Sequence, residues 1–193
     1  RLLLSLATFS FLSLPYVGLF PAVARLNFGI DETGSTYRWL YATWGLGAAL
    51  GGLAIGTVLV DVDKRRIIRW GFASFAVFIA LFGLANTPLL AFLVAFPLGI
   101  AYFGTTTSMM TVLQSRLAPN ERGRVMALWF MAFGGTVPLG NLLFGPVIDA
   151  IGARWVLVGG AVWSLVLAWW CDVRAIEGTP NDTPGLVVEP DDA

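Results

Sequence analysis

The chain has no histidine and a single cysteine, Cys171, in 193 residues. Without histidine there is no Ser-His-Asp or Cys-His catalysis, no imidazole metal ligand and no histidine general base. One cysteine excludes an internal disulfide and any cysteine-held zinc or iron–sulfur cluster. No metal or other cofactor is expected, and no nucleic-acid partner. Charge is scarce too: 12% of residues are charged, 12 basic against 12 acidic, while 57% are hydrophobic. A soluble domain carries about 25% charged and about 45–50% apolar residues. There is too little polar surface here to coat a water-soluble globule. The remaining class is a membrane protein that works through hydroxyls, carboxylates or plain binding.

What is present in abundance is long runs without charge. A spanning helix needs about 20 predominantly apolar residues, and such runs lie near 2–24, 39–60, 70–86, 89–115, 125–148 and 155–171. The third and fourth come from one stretch, 70–115, which as a single helix would extend on the order of 69 Å at about 1.5 Å per residue. It must fold back, and Asn86-Thr87-Pro88 is the turn signal near its middle. Closed β-barrels need short strands of alternating polarity, which these continuous runs are not. The first run is longer than the apolar core of a signal peptide, and no small-residue cleavage pattern follows it. Six transmembrane helices, all-α, is the reading. Residues 172–193 are polar, acidic and broken by proline, the composition of a disordered tail.

Lysine and arginine set the orientation. Arg1, Lys64, Arg65, Arg66, Arg69, Arg116, Arg122, Arg124 and Arg174 fall on one side, and Arg25, Arg38 and Arg154 on the other. Both termini, the acidic tail included, are therefore expected in the cytoplasm, with the protein in the plasma membrane. Trp39, Trp70, Trp155, Trp169 and Trp170 sit at run ends, where amphipathic rings favour the headgroup level. Trp44, Trp129 and Trp163 lie deeper and call for another explanation.

Within the spans, Gly47-x-x-x-Gly51 and Gly52-x-x-x-Gly56 give the second helix small-residue ridges that admit a neighbouring backbone. Tyr102, Thr105, Thr106 and Met109 share one face of the fourth helix at i, i+3, i+4 and i+7 spacing. Thr8, Phe9, Ser13 and Tyr16 are comparable on the first, where Pro15 is placed to kink the helix. Asn141 is the only amide deep in a span. Hydroxyls and amides at this depth need partners, so these faces turn towards protein or water. No Asp, Glu, Lys or Arg lies in the middle of any span, and such charges usually mark proton or ion pathways.

Six helices divide into two groups of three, and an odd group size makes the second group inverted relative to the first. Motifs narrow the choice. Residues 113–128 run Leu-Gln-Ser-Arg-Leu-Ala-Pro-Asn-Glu-Arg-Gly-Arg-Val-Met-Ala-Leu, and 138–145 run Pro-Leu-Gly-Asn-Leu-Leu-Phe-Gly. This resembles the tenth-to-eleventh helix segment of major facilitator superfamily transporters, nearest to the enterobactin-exporter-like and drug-exporter-like branch. The resemblance implies an inverted three-plus-three repeat, half of a twelve-helix fold. A second family feature is a loop of the form Gly-x-x-x-Asp-Arg-x-Gly-Arg-Arg. From Gly56 to Arg66 the glycine and basic cluster are kept, the acid is displaced by one position and the second glycine is lost.

The resemblance further implies a cavity between two halves near the midplane. Tyr16, Tyr102, Thr106 and Asn141 are the residues expected to line this half of it. Asp61, Lys64 and Arg65 in one loop, and Arg116, Glu121, Arg122 and Arg124 in the other, are candidate gating residues. Anchoring to anionic lipid is the alternative for the arginines. The expected partners are the lipid bilayer, a small organic substrate, and a missing N-terminal half or a second copy. If transport is proton-coupled, the titrating carboxylate lies in that missing half. The function that follows is export of drug- or siderophore-like compounds by alternating access, not enzymatic catalysis. A transport-inactive half acting as a structural or regulatory partner is an alternative. So is a membrane-embedded lipid-modifying enzyme, although the only clustered acids, Asp61 and Asp63, sit among four basic residues.

Overall fold

The computed structural model describes residues 2–118 and 120–170; the tail expected at 172–193 lies outside them. Among the described residues the secondary structure is helical, with no strand. The order is α1 (Leu2–Leu12), α2 (Pro15–Gly18), α3 (Phe20–Phe28), α4 (Ser35–Gly56), α5 (Lys64–Leu84), α6 (Pro88–Ser115), α7 (Arg122–Phe130), a π-helical turn (Met131–Gly135), α8 (Thr136–Ile151) and α9 (Ala153–Trp170). Among the described residues each apolar run is helical over most of its length, the second ending at Gly56 and turning over 57–60. Several helices start earlier than the charge-free runs, because a helix does not stop at the edge of the hydrocarbon. Thus α4 includes Arg38, and α5 begins at Lys64 instead of Trp70.

The first run is not one helix but three pieces. Pro15 and Pro21 each remove a backbone donor. The backbone widens at Leu14, whose N–H reaches the Phe9 carbonyl five residues back at 3.2 Å, and a new helix starts at Pro15. The break is held from outside: Ser13 Oγ donates to the Gly160 carbonyl, and Ser164 Oγ donates to Ser13 Oγ, both at 2.9 Å. Among the described residues, four stretches are long and apolar enough to cross a membrane: Lys64–Leu84, Pro88–Ser115, Arg122–Ile151 and Ala153–Trp170. The 22-residue α4 has the length, but its glycines dilute its hydropathy. Residues 2–28 have the length without the continuity.

Ends are set by local chemistry. Asp63 caps α5 by accepting from Arg65 N at 3.0 Å, and Thr87 caps α6 by accepting from Leu90 N at 3.4 Å, with Pro88 in the first turn. Gly29 at φ 65° closes α3, with its N–H on Arg25 O and that of Ile30 on Ala24 O. In the loop that follows, Asp31 accepts from the N–H and hydroxyl of Thr33, both at 2.9 Å. Those bonds hold its carboxyl below the ordinary range.

The seams between helices follow the three-plus-three repeat. Take residues 2–28, α4 and α5 as one triplet, and α6, Arg122–Ile151 and α9 as the other. The largest seam, α4 on α6, then exchanges with α1 and α2 on α8; α5 on α6 exchanges with α9 on α1 and α3; α5 on α9 maps onto itself. One seam has no mate. α8 touches α9, whereas α4 and α5 scarcely meet.

Both exchanged crossings depend on glycine. A Cβ on Gly47 or Gly51 would collide with the carbonyl oxygen of Phe96 or Ile100, and one on Gly99 with that of Trp44. At the related crossing, a Cβ on Gly140 would lie 2.7 Å from the Phe11 carbonyl oxygen. The other expected ridge behaves differently. Gly52 has only ordinary contacts with Thr107 and Phe103, and Gly56 has open space. Gly51→Val is therefore expected to destabilise the bundle by about 1–3 kcal/mol or more, read as a lower Tm in detergent. Gly56→Ala should leave Tm unchanged; equal loss from both variants would contradict the crossing.

Candidate functional site

The α4–α6 crossing brings aromatic rings from five helices together. On α4, Tyr37, Tyr41 and Trp44 follow at i, i+4 and i+7, so they share one face. Tyr16 comes from α2, Phe20 from α3, Phe75 from α5 and Tyr102 from α6. Trp44 is the crossbar. Its Nε1–H donates to the Tyr16 hydroxyl at 3.1 Å, with the two rings at 88° and 6.3 Å between centroids. Its other neighbour is Tyr102, stacked at 5.9 Å and 18°. Phe75 closes the base, 6.0 Å from Tyr16 and 6.5 Å from Tyr102.

Tyr16, Trp44 and Tyr102 are 2%, 6% and 5% exposed, so they form the packed interior of the cluster. Its open edge is Tyr41 and Phe103, each 40% exposed. Phe20 meets Tyr41 edge-on at 5.3 Å, and Tyr102 meets Phe103 edge-on at 4.8 Å. Such an edge offers ring faces to aromatic and cationic ligands. The deep tryptophan at 44 is thus a structural partner of two expected cavity residues. The Tyr37, Tyr41, Trp44 spacing was the available signal for it.

The remaining expected cavity residues divide. Thr106 is buried, and its Oγ1 donates to the Tyr102 carbonyl of its own helix at 3.1 Å. It takes its place in the α6 wall without reaching across. Asn141 is half-buried on α8 and abuts Gly18, two residues beyond Tyr16. Its Oδ1 is buried without a hydrogen-bond partner among the described residues.

The loops hold the candidate gating residues. Lys64 Nζ donates to the carbonyls of Leu59, Val60 and Val62, closing the turn after α4. Asp61 is exposed in that turn, and the backbone N–H of Arg65 donates to the Asp63 carboxylate. At the other loop, Arg122 Nε reaches the Leu117 carbonyl at 3.4 Å, and Gln114 Nε2 lies 3.6 Å from Met126 Sδ. Those contacts tie the end of α6 to the start of α7. Arg116, Glu121 and Arg124 are exposed beside them. At the opposite end, Arg154 Nη2 donates to Asn86 Oδ1 at 2.6 Å, joining α9 to the α5–α6 turn.

The Major Facilitator Superfamily model matches residues 2–186. The chain belongs to the major facilitator superfamily. Among curated relatives, it is 26% identical over 176 residues to the puromycin resistance protein pur8 of Streptomyces alboniger. The match covers 87% of this chain and 34% of that protein. The chain thus spans about a third of the length of this relative. The family match agrees with the all-helical membrane architecture, and with the resemblance read from residues 113–145.

Tyr16→Phe should lower stability by about 1 kcal/mol, because it leaves the buried Trp44 N–H unpaired. Tyr41→Phe, at the exposed edge, should change it by less than about 0.5 kcal/mol. Paired thermal melts in detergent check the difference; equal losses would remove the Tyr16–Trp44 bond as a structural element.

Proposed function

We propose that this chain forms one wall of a transporter that exports small amphipathic organic molecules across the plasma membrane by alternating access, both termini being cytoplasmic. The observation that carries the reading is the aromatic cluster. It lies just beyond the break in the first span, and its Tyr41 and Phe103 edge is open. Discontinuous spans are where transporters of several folds form their sites. Aromatic rings with a few hydroxyls suit lipophilic or drug-like cations better than small inorganic ions. Membership of the family supports transport over catalysis, and the similarity to a puromycin resistance protein supports a drug-like substrate. The partner is the other half of the transporter, a further six-helix unit or a second copy. The exposed surface of Arg122–Ile151 favours such a partner: only 11% of its most apolar stretch is buried in the described bundle, against 44% for α6.

In this scheme Arg122, hydrogen-bonded to Leu117 O, and its neighbours Arg116, Glu121 and Arg124 form the inside gate. Asp61, Lys64 and Arg65 hold the corresponding turn between α4 and α5.

The test uses the full-length protein containing this segment, in cells loaded with puromycin or with fluorescent amphipathic drugs. Its expression should lower accumulation. Tyr41→Ala should raise the concentration for half-maximal export about threefold to tenfold, the equivalent of about 0.5–1.5 kcal/mol for one aromatic contact. Arg124→Ala should slow efflux while the protein still inserts. Equal accumulation across a broad panel, with and without the protein, would overturn the exporter reading.

A further inference from the structure

The seam without a mate leaves a groove. α4 and α5 both pack on α6 but scarcely on each other. Between them lies an open hollow of about 490 Å³, within the range of small-molecule sites, about 300–1,000 Å³. Its walls are almost wholly apolar: Ala54 and Ile55 from α4, Ala101 and Gly104 from α6, and Trp70 from α5, with Arg66 at one end. Along α5 it runs from Arg66 to Ser74, about 12 Å at about 1.5 Å per residue. One leaflet of a bilayer core is about 15 Å deep. The groove therefore runs from the headgroup level most of the way to the midplane.

The charged end has the right chemistry. Lys64, Arg65, Arg66 and Arg69 occupy the first turns of α5, where the helix dipole disfavours cations. For Arg66 and Arg69 that position does not stabilise the helix, and an external anion is the better account of them. Lys64 is engaged with backbone carbonyls, and Asp63, the nearest acid, is engaged as the cap. Asp61 is exposed in the preceding turn. Arg66 and Arg69 are both exposed, within about one turn of Trp70. Arg69 lines a second hollow of about 270 Å³ against α9, with Trp70 as a wall common to both.

We infer that the α4–α5 groove binds an anionic phospholipid. One acyl chain lies along Ala54, Ala101 and Gly104, the phosphate sits on Arg66 and Arg69, and Trp70 marks the headgroup depth. The lipid takes the place of the missing α4–α5 seam. None of Tyr16, Trp44 and Tyr102 lines this groove, and the proposal does not rest on the export reading.

The test reconstitutes the full-length protein in nanodiscs of phosphatidylcholine containing a small fraction of phosphatidylglycerol brominated on its acyl chains. The signal is the quenching that disappears in Trp70→Phe. Brominated phosphatidylglycerol should quench Trp70 at a lower mole fraction than brominated phosphatidylcholine. Arg66→Gln and Arg69→Gln should each weaken that preference about fivefold, as expected for one basic residue at a membrane surface. Ala54→Phe, which fills the groove, should abolish saturable quenching by both lipids while Tm and drug accumulation stay near wild type. Equal quenching by the two lipids, unaffected by the arginine variants, would reduce the site to ordinary annular lipid and overturn the proposal. So would absence of quenching by either lipid, since another part of the transporter would then cover the groove.

Discussion

The contact on which the bundle depends is backbone against backbone, where α4 crosses α6. Lipid tails are as apolar as leucine, so helices in a bilayer gain little from burying apolar side chains against one another. What they gain is close packing, and that requires the missing Cβ atoms of Gly47, Gly51 and Gly99. With the axes drawn together, Trp44 stacks on Tyr102 and its N–H reaches Tyr16. A wider crossing would leave a buried indole N–H without a partner, at a cost of about 1–3 kcal/mol. The glycines and the aromatic cluster are one device.

The inverted repeat extends that logic to the first span. The mate of the α4–α6 crossing is Gly140 against the Phe11 carbonyl. Pro15 removes the N–H that Phe11 O would otherwise accept within the helix, so the carbonyl left by the proline is the one the glycine approaches. Nearby, Ser13 and Ser164 bind the break to Gly160. In lipid a helix interruption survives only where protein satisfies the freed backbone. Here Gly140 of α8 packs on the Phe11 carbonyl and the Ser13–Ser164 pair ties the break to α9, so the break becomes a fixed feature beside Tyr16.

Much of this was legible in the sequence, because charge is so costly in hydrocarbon that its absence marks the spans. Asn86-Thr87-Pro88 located the turn in a run of apolar residues, and the small-residue spacing of α4 located its close contact. The spacing did not say which ridge is used: Gly47 and Gly51 meet α6 backbone, while Gly52 and Gly56, equally spaced, do not. A small-xxx-small pattern records that an approach is possible, not from which side a neighbour comes. The division of residues 2–28 was hidden for a related reason. Prolines signal a break, but its position at residues 13–14 is settled by hydroxyls and carbonyls about 150 positions further along the chain.

The arginines show where sequence and structure inform each other most. A count of basic residues by side orients the bundle and treats every cation alike. In the structure they divide by what they can reach. Lys64 closes a turn and Arg122 reaches a carbonyl at the end of α6, so both are spent on backbone. Arg66 stands at the head of the apolar groove and Arg69 in the hollow beside it, on a helix end whose dipole opposes them. Residues kept against the local field need a counter-charge from elsewhere, and in a bilayer the nearest supply is the phosphate of the surrounding lipid. The same geometry explains why α8 and α9 need no such occupant: they already touch.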